Sequence, residues 1–353
     1  MPMELYALGR LAVLAGVDLG SLVRTFLWAS GAAAVMAIGL YLLAPPDFFI
    51  TVMDLPRFIR EVQGFSGAVG LREISLLVRY GPDLQGEVIR AVGPFTHPVG
   101  AGHYFVVPLL LAVTAAFREA AGNRPRRYLL TDIGLILLFA AAVLTSISRG
   151  AWAVAAVGTL ICGISYRRLP VTIVGLALAS AFVLLVQPFS SAATSAVALT
   201  DPSSVGHVEA IGEGWQVVLR NLLGLGVGQA DHPGTAFGGE AGSGVGENMY
   251  LSLFVSVGPL GLLAFLAWLT GLGLGLVPLP GQPRDWVRIA LFSALVAFLV
   301  SAATAAPLMR FTTAASFWLL VGMALIPDRR DVWPTLRHEL ARMPRSIMAR
   351  VSR

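Results

Sequence analysis

Apolar stretches long enough to cross a bilayer recur along this chain, and nothing else constrains its fold as strongly. The clearest runs from Tyr128 to Tyr166, 39 residues whose only charges are Asp132 and Arg149. About 20 helical residues cross roughly 30 Å of hydrocarbon, so this run is too long for one helix and suits two joined by a tight turn. Ser148-Arg149-Gly150 supplies the break, because glycine permits backbone angles that a helix does not. A guanidinium inside hydrocarbon costs at least about 2.5 kcal/mol. A corner at the membrane surface removes that cost from Arg149.

The same reasoning gives about eight spans, near 22–44, 100–117, 128–147, 151–166, 169–187, 249–275, 287–305 and 309–326. With 56% hydrophobic and 13% charged residues, the composition excludes a soluble protein. The short alternating segments of a membrane barrel are absent. The expected fold is an all-α polytopic membrane helical bundle, one integral membrane domain over residues 1–326 with a basic cytoplasmic tail at 327–353. All 25 basic residues are arginine. Placing the N-terminus inside puts seventeen of them on the cytoplasmic side, including those of the short loops REAAGNRPRR and YRRLP, where positive charge sets orientation. Both termini are therefore expected inside, with two large extracytoplasmic loops at 45–99 and 188–248. The net charge of +5 follows from these loops and implies no nucleic-acid partner. No removable signal peptide is legible at the N-terminus. The lone Cys162 excludes a disulfide framework.

Each large loop carries an amphipathic segment. In the first, Leu55, Phe58, Ile59 and Val62 share a helical face suited to the membrane surface. In the second, Val208, Ile211, Trp215, Val218, Leu219 and Leu222 form one stripe, opposite Glu209, Glu213, Gln216 and Arg220. GLGVG ends that helix as a turn, and the tract from His232 to Gly246 reads as a loop.

The external side gathers Arg90, Arg149, Arg220 and Arg310. Arginines placed against the positive-inside bias suit a ligand with fixed negative charge, since guanidinium forks onto phosphate oxygens. The bland alternative, snorkelling or pairing with a carboxylate, is favoured for Arg310. Glu247, in GENMYLSLFVSVGPLG, stands just before a span. Two readings stay open for it: a general base with a pKa raised at the edge of a low-dielectric region, or a helix N-terminal carboxylate beside the cap Asn248. His97 and His103 are six apart, which is no ligand spacing for one helix face, so they read as loop or interface histidines and no metal site is expected.

Three segments, in order along residues 22–326, resemble the O-antigen ligase and polymerase family of bacterial membrane glycosyltransferases. RAVGPFTHPVGAGHYFVVPLLLA (90–112) is similar to the family's arginine and Gly-x-Phe ahead of a span. LTSISRGAWAVAAVGTL resembles its Thr-x-Ser-Arg-Gly run between two spans. The third runs from SSVGHVEAIGEGWQVVLRNLLGLGVGQ to GENMYLSLFVSVGPLGLLAFL, and it resembles the family's large loop, closing Gly-x-Gly and His/Glu-Asn-x-Tyr-Leu segment. The resemblance implies a GT-C-like scaffold in the bacterial inner membrane and an inverting mechanism with no metal or other cofactor. It implies an undecaprenyl-diphosphate-linked glycan as donor and the hydroxyl of a glycan or lipid as acceptor. Arg90, Arg149 and Arg220 would then bind diphosphate, Arg149 and Arg220 also acting in catalysis, and Glu247 would be the base. His97, His207, Asn248 and Tyr250 are further candidates. Glu247 stands where ligases often have histidine, and His207 where an arginine often opens the loop helix. Family members also carry more spans before the first motif, so a shortened N-terminus is expected. Two other classes compete: a transporter or flippase of an anionic lipid or solute, which calls for broken midplane helices and an inverted repeat, and a non-catalytic subunit of a polysaccharide complex.

Overall fold

The computed structural model describes residues 2–44, 88–95, 97–122, 126–187, 189–198, 202–227, 248–277, 285–309 and 311–326, with the pair 79–80 and a few single positions between 45 and 57. The apolar face at Leu55–Val62, the tract from His232 to Gly246, Glu247, Arg310 and the C-terminal tail lie outside the described residues. Among the described residues the helices, in chain order, are α1 (Pro2–Leu14), α2 (Leu19–Leu43), α3 (Pro98–Ala121), α4 (Arg126–Thr145), α5 (Arg149–Ser165), α6 (Leu169–Leu185), α7 (Phe189–Val197), α8 (Pro202–Arg220), α9 (Met249–Leu276), α10 (Trp286–Ser301) and α11 (Phe311–Ala324). A two-residue antiparallel pair, β1 (Arg79–Tyr80) and β2 (Val88–Ile89), pairs Arg79 with Ile89 and Tyr80 with Val88.

Each expected span coincides with a helix. Four are long and apolar enough to cross a membrane, namely Leu19–Leu43, Pro98–Ala121, Arg127–Thr145 and Met249–Leu276. α6 and α7 make a further, broken candidate, bent by 93°, while α5, α10 and most of α11 are shorter apolar helices. The chain is a polytopic helical membrane protein. Its centre is α3, where Phe105, Val106, Leu110, Leu111 and Ala112 have no exposed surface. Around it pack α4, α5, α10, α11 and α2. Helix starts are set locally: Asp18 accepts from the Ser21 N–H at 2.7 Å to begin α2, and Asp285 accepts from Val287 N–H at 2.9 Å to begin α10.

α1 was not anticipated from the sequence, being only 13 residues long. It packs on α11 at two points where backbone meets backbone, Gly9 at the Leu319 carbonyl and Gly322 at the Tyr6 carbonyl. Trp268 of α9 closes that contact, stacked on Trp318 with centroids 4.9 Å apart and edge-on to Tyr6.

Contacts between helix termini gather the ends of α3–α6 and of α9–α11 at two ends of the bundle. At one end, arginines close the C-termini of helices. Arg288 Nε donates to the Ala324 carbonyl at 2.9 Å and Arg168 Nη2 to the Ala120 carbonyl at 3.4 Å. Arg118 there holds Glu119 at 2.6 Å and lies over the Trp286 ring. The other end carries the α4–α5 corner.

Candidate functional site at the α4–α5 corner

The corner forms because α4 runs out of helix at Thr145, and its last carbonyls need donors from elsewhere. The segment after β2 supplies them. Ala91 N–H donates to Thr145 O at 2.8 Å, Arg90 Nε to Ser146 O at 3.0 Å, and Arg90 Nη2 to Ile147 O at 3.1 Å. A guanidinium at two of these carbonyls also offsets the negative end of the helix dipole. Trp152 Nε1 closes back onto Val143 O at 3.1 Å.

The break sits earlier than Ser148-Arg149-Gly150. The left-handed backbone is at Ile147, with φ of 45°, and Arg149 and Gly150 already form the first turn of α5. Ser148 is the N-cap in extended backbone, and its side chain makes no capping bond. Glycine at 150 is therefore required by neither turn geometry nor space, since its neighbours stand at ordinary van der Waals distance. A Cβ there would stand 3.5 Å from His103 Cε1 and 3.7 Å from Ser301 Oγ. Gly102 is tighter, because a Cβ on it would reach within 2.6 Å of Ser146 Oγ and 2.9 Å of Ala151 Cβ. Ile147 itself is buried with Phe189 and Ala192 of α7, which lies over the corner.

Under Arg149–Gly150 stands a buried polar pair that the sequence had left as an interface histidine. His103 Nδ1 is 2.8 Å from the Val99 carbonyl, and Nε2 is 3.1 Å from Ser301 Oγ. A carbonyl only accepts, so Nδ1 carries the proton. In the neutral ring Nε2 then accepts from the serine hydroxyl. This ties α3 to the end of α10. Six residues earlier, His97 caps α3 through Nδ1, which accepts from Val99 N–H at 3.2 Å.

α9 completes the same end. Asn248 is its cap, with Oδ1 accepting from Tyr250 N–H at 3.0 Å and Leu251 N–H at 3.1 Å. Met249 N–H donates to the Ala302 carbonyl at 2.9 Å, and Tyr250 donates its hydroxyl to Leu299 O at 2.6 Å. Arg149, Arg90, His97, Asn248 and Tyr250 are thus brought to one end of the bundle. Glu247 is the residue directly ahead of that cap in the chain.

Arg220 is placed differently. It is exposed at the end of α8, a helix docked on the first half of α9 through Val218 against Leu251 and Val255. His207 lies within α8, but its side chain is not among those described. The turn after α8 seats in a kink of α9. Gly258 has φ of 70° and ψ of −178°, and Pro259 has no N–H to give to the carbonyl of Val255. Leu225 N–H takes that place at 2.6 Å, and Gly226 N–H donates to Ser256 O at 3.1 Å. GLGVG is therefore a latch as well as a turn. It pairs two glycines back to back: a Cβ on Gly224 would come within 2.7 Å of Gly258 N, and one on Gly258 within 2.7 Å of Leu223 O.

Among the described residues, the side chains gathered at this end carry guanidinium, hydroxyl, amide and imidazole groups. Among the described residues no three of His, Cys, Asp or Glu group closely enough to hold a metal ion. A helix N-terminus with an arginine as its first residue suits an anion instead.

Residues 134–266 match the family model described as O-antigen ligase. That segment runs from within α4 through the corner, α8 and the latch to past the kink of α9. Arg90, His97, His103 and Ser301 fall outside it, although they hold its corner in place. No curated protein and no solved structure matches the chain. With the second and third motifs inside it, the segment 134–266 is similar to the O-antigen ligase family.

Proposed function

We propose that this protein transfers a glycan from an undecaprenyl-diphosphate carrier to an acceptor hydroxyl on the corner end of the bundle. We read that end as the extracytoplasmic face of the bacterial inner membrane, with both chain termini inside. The observation that carries the reading is Arg149 on the first turn of α5, with the backbone beneath it gripped by Arg90 and Ala91.

As the bond between the anomeric carbon and the diphosphate oxygen breaks, charge develops on the leaving phosphate. A preorganised guanidinium at a helix N-terminus stabilises that charge without reorganising. Arg149 is the primary diphosphate contact and Arg90 holds the corner that aims it. Arg220 is a second contact, reached from α8. The acceptor oxygen attacks from the opposite face of the sugar, which inverts the linkage, and its proton passes to Glu247. Asn248, Tyr250 and His97 set the helix starts that frame the site.

Expression of Arg149→Ala in a deletion strain tests this. Surface or lipid-linked glycan should fail to lengthen or attach while the protein still inserts in the membrane. Full-length glycan persisting with normal protein levels defeats the assignment. The same strain separates the two activities of the family: single repeats still attached indicate loss of polymerase, and unattached lipid-linked chains indicate loss of ligase.

A further inference from the structure

The apolar stripe of α8 divides into two flanks. Ile211 and Val218 turn toward α9 and pack on Leu251, Phe254 and Val255. Val208, Trp215 and Leu219 form a second flank that stays open, 58%, 51% and 70% exposed. The exposed flank continues into the latch, where Leu223 is 93% and Val227 85% exposed. The third face carries Glu209, Glu213, Gln216 and Arg220, all exposed. So much bare apolar surface in one stretch marks a contact with something apolar.

Depth identifies the contact. Below the kink, α9 runs straight from Pro259 to Leu276, 18 residues. At 1.5 Å per residue that is about 27 Å, close to the thickness of the hydrocarbon layer. The kink at Gly258 therefore stands at the layer's edge, and the latch hydrogen-bonded to Val255 and Ser256 stands there with it. Immediately below, Leu260 and Leu263 of α9 are exposed on the membrane-facing wall. The turn after α8 meets α9 at Gly258, two residues before Leu260, and Trp215 has the amphipathic ring that favours headgroup level.

We infer that α8 and its latch form an interfacial anchor, laid into the outer leaflet on Trp215, Leu219, Leu222, Leu223 and Val227, with the charged face turned to water. The occupant of the bare flank is lipid. In this position the end of α8 carries Arg220 at headgroup level.

The test is collision accessibility of spin labels on the full chain in nanodiscs of phosphatidylethanolamine and phosphatidylglycerol. Single cysteines are placed at Leu219, Leu223 and Val227, and at Glu213 and Gln216, in a Cys162→Ala background. A label at Leu260 reports the lipid-facing wall in the same preparation and confirms that the bundle is intact. Labels at 219, 223 and 227 should match Leu260 in favouring oxygen over a water-soluble nickel chelate, several-fold above 213 and 216. Equal, water-like access at all five positions overturns the anchor. Shielding of 219, 223 and 227 from both reagents overturns it too, since a second copy or a partner protein would then cover the flank.

Discussion

Two arginines that look alike in sequence have separable duties at the corner. Arg90 spends Nε and Nη2 on the carbonyls of Ser146 and Ile147, as Arg168 and Arg288 close helix ends across the bundle. Hydrogen bonds to charged groups contribute about 1.5–3 kcal/mol each. Arg90→Ala should therefore lower the melting temperature in detergent as well as activity. Arg149→Ala should lower melting less than Arg90→Ala does and cut turnover by roughly 10²–10³, the range for losing one donor to a developing anion. Arg149→Lys keeps the charge without the fork and should restore part of that loss. Equal melting losses in the two alanine variants would contradict this division. A pH effect belongs at Asp18, whose carboxyl is held below the usual carboxylate range by the Ser21 N–H, with Arg24 adding to the shift. A depressed native pKa contributes stability above the unfolded value and loses it as pH falls through the native one. The melting difference between wild type and Asp18→Ala should be constant near neutrality and vanish in acid.

At the scale of elements, the close approaches and the latch carry the testable content. Gly102→Val would drive a side chain into Ser146 Oγ and Ala151 Cβ, pushing α5 off α3. Overpacking of this kind costs typically 1–3 kcal/mol, and the corner should lose activity with it. Gly258→Ala combines a backbone region closed to alanine with a clash on Leu223 O. Amides of Leu225 and Gly226 should then exchange hydrogen faster, while those of α3 keep their protection. Uniform loss across both would mean general unfolding instead. These elements were unequally legible. Length and apolar content place the helices at the expected spans, because a bilayer leaves the backbone little choice. The position of the break was misplaced by three residues, since Gly150 advertises a turn while Ile147 makes it. What selects Ile147 is burial under α7, a contact with no local signature. The His103–Ser301 pair is likewise 198 residues apart and invisible to spacing. The latch was half legible: GLGVG reads as a turn, but VGPLG lies inside an expected span, and nothing in either says that one completes the hydrogen bonds of the other.

For the whole molecule, contacts between helix termini sort the chemistry by end. Arg118, Arg168 and Arg288 lie at one end, and Arg90, Arg149, His103 and Asn248 at the other. The proposed orientation makes the first set cytoplasmic. A cysteine replacing Arg167 should react with an impermeant maleimide only after cells are permeabilised, and one replacing Asn221 should react in intact cells. The reverse pattern would place the corner inside and end the glycosyltransferase reading, which needs carrier and acceptor to meet on the extracytoplasmic face. The site is assembled from four separate stretches of chain, and only two of them fall within residues 134–266. A fragment limited to the matched segment would lack Arg90, His103 and Ser301, and should neither hold the corner nor turn over.

The corner's own contacts bear on how such a site would drift over generations. Thr145, Ser146 and Ile147 are each gripped by their carbonyl oxygens, which every amino acid possesses. Substitution at these positions leaves the grip intact so long as the path of the chain is kept. The side-chain donor to Ser146 and Ile147 has no such freedom, because only an arginine reaches both carbonyls with one planar group. Across diverging copies of this gene, the loop that displays Arg149 is free to vary in spelling, while the residue that steadies it from 56 positions away is not.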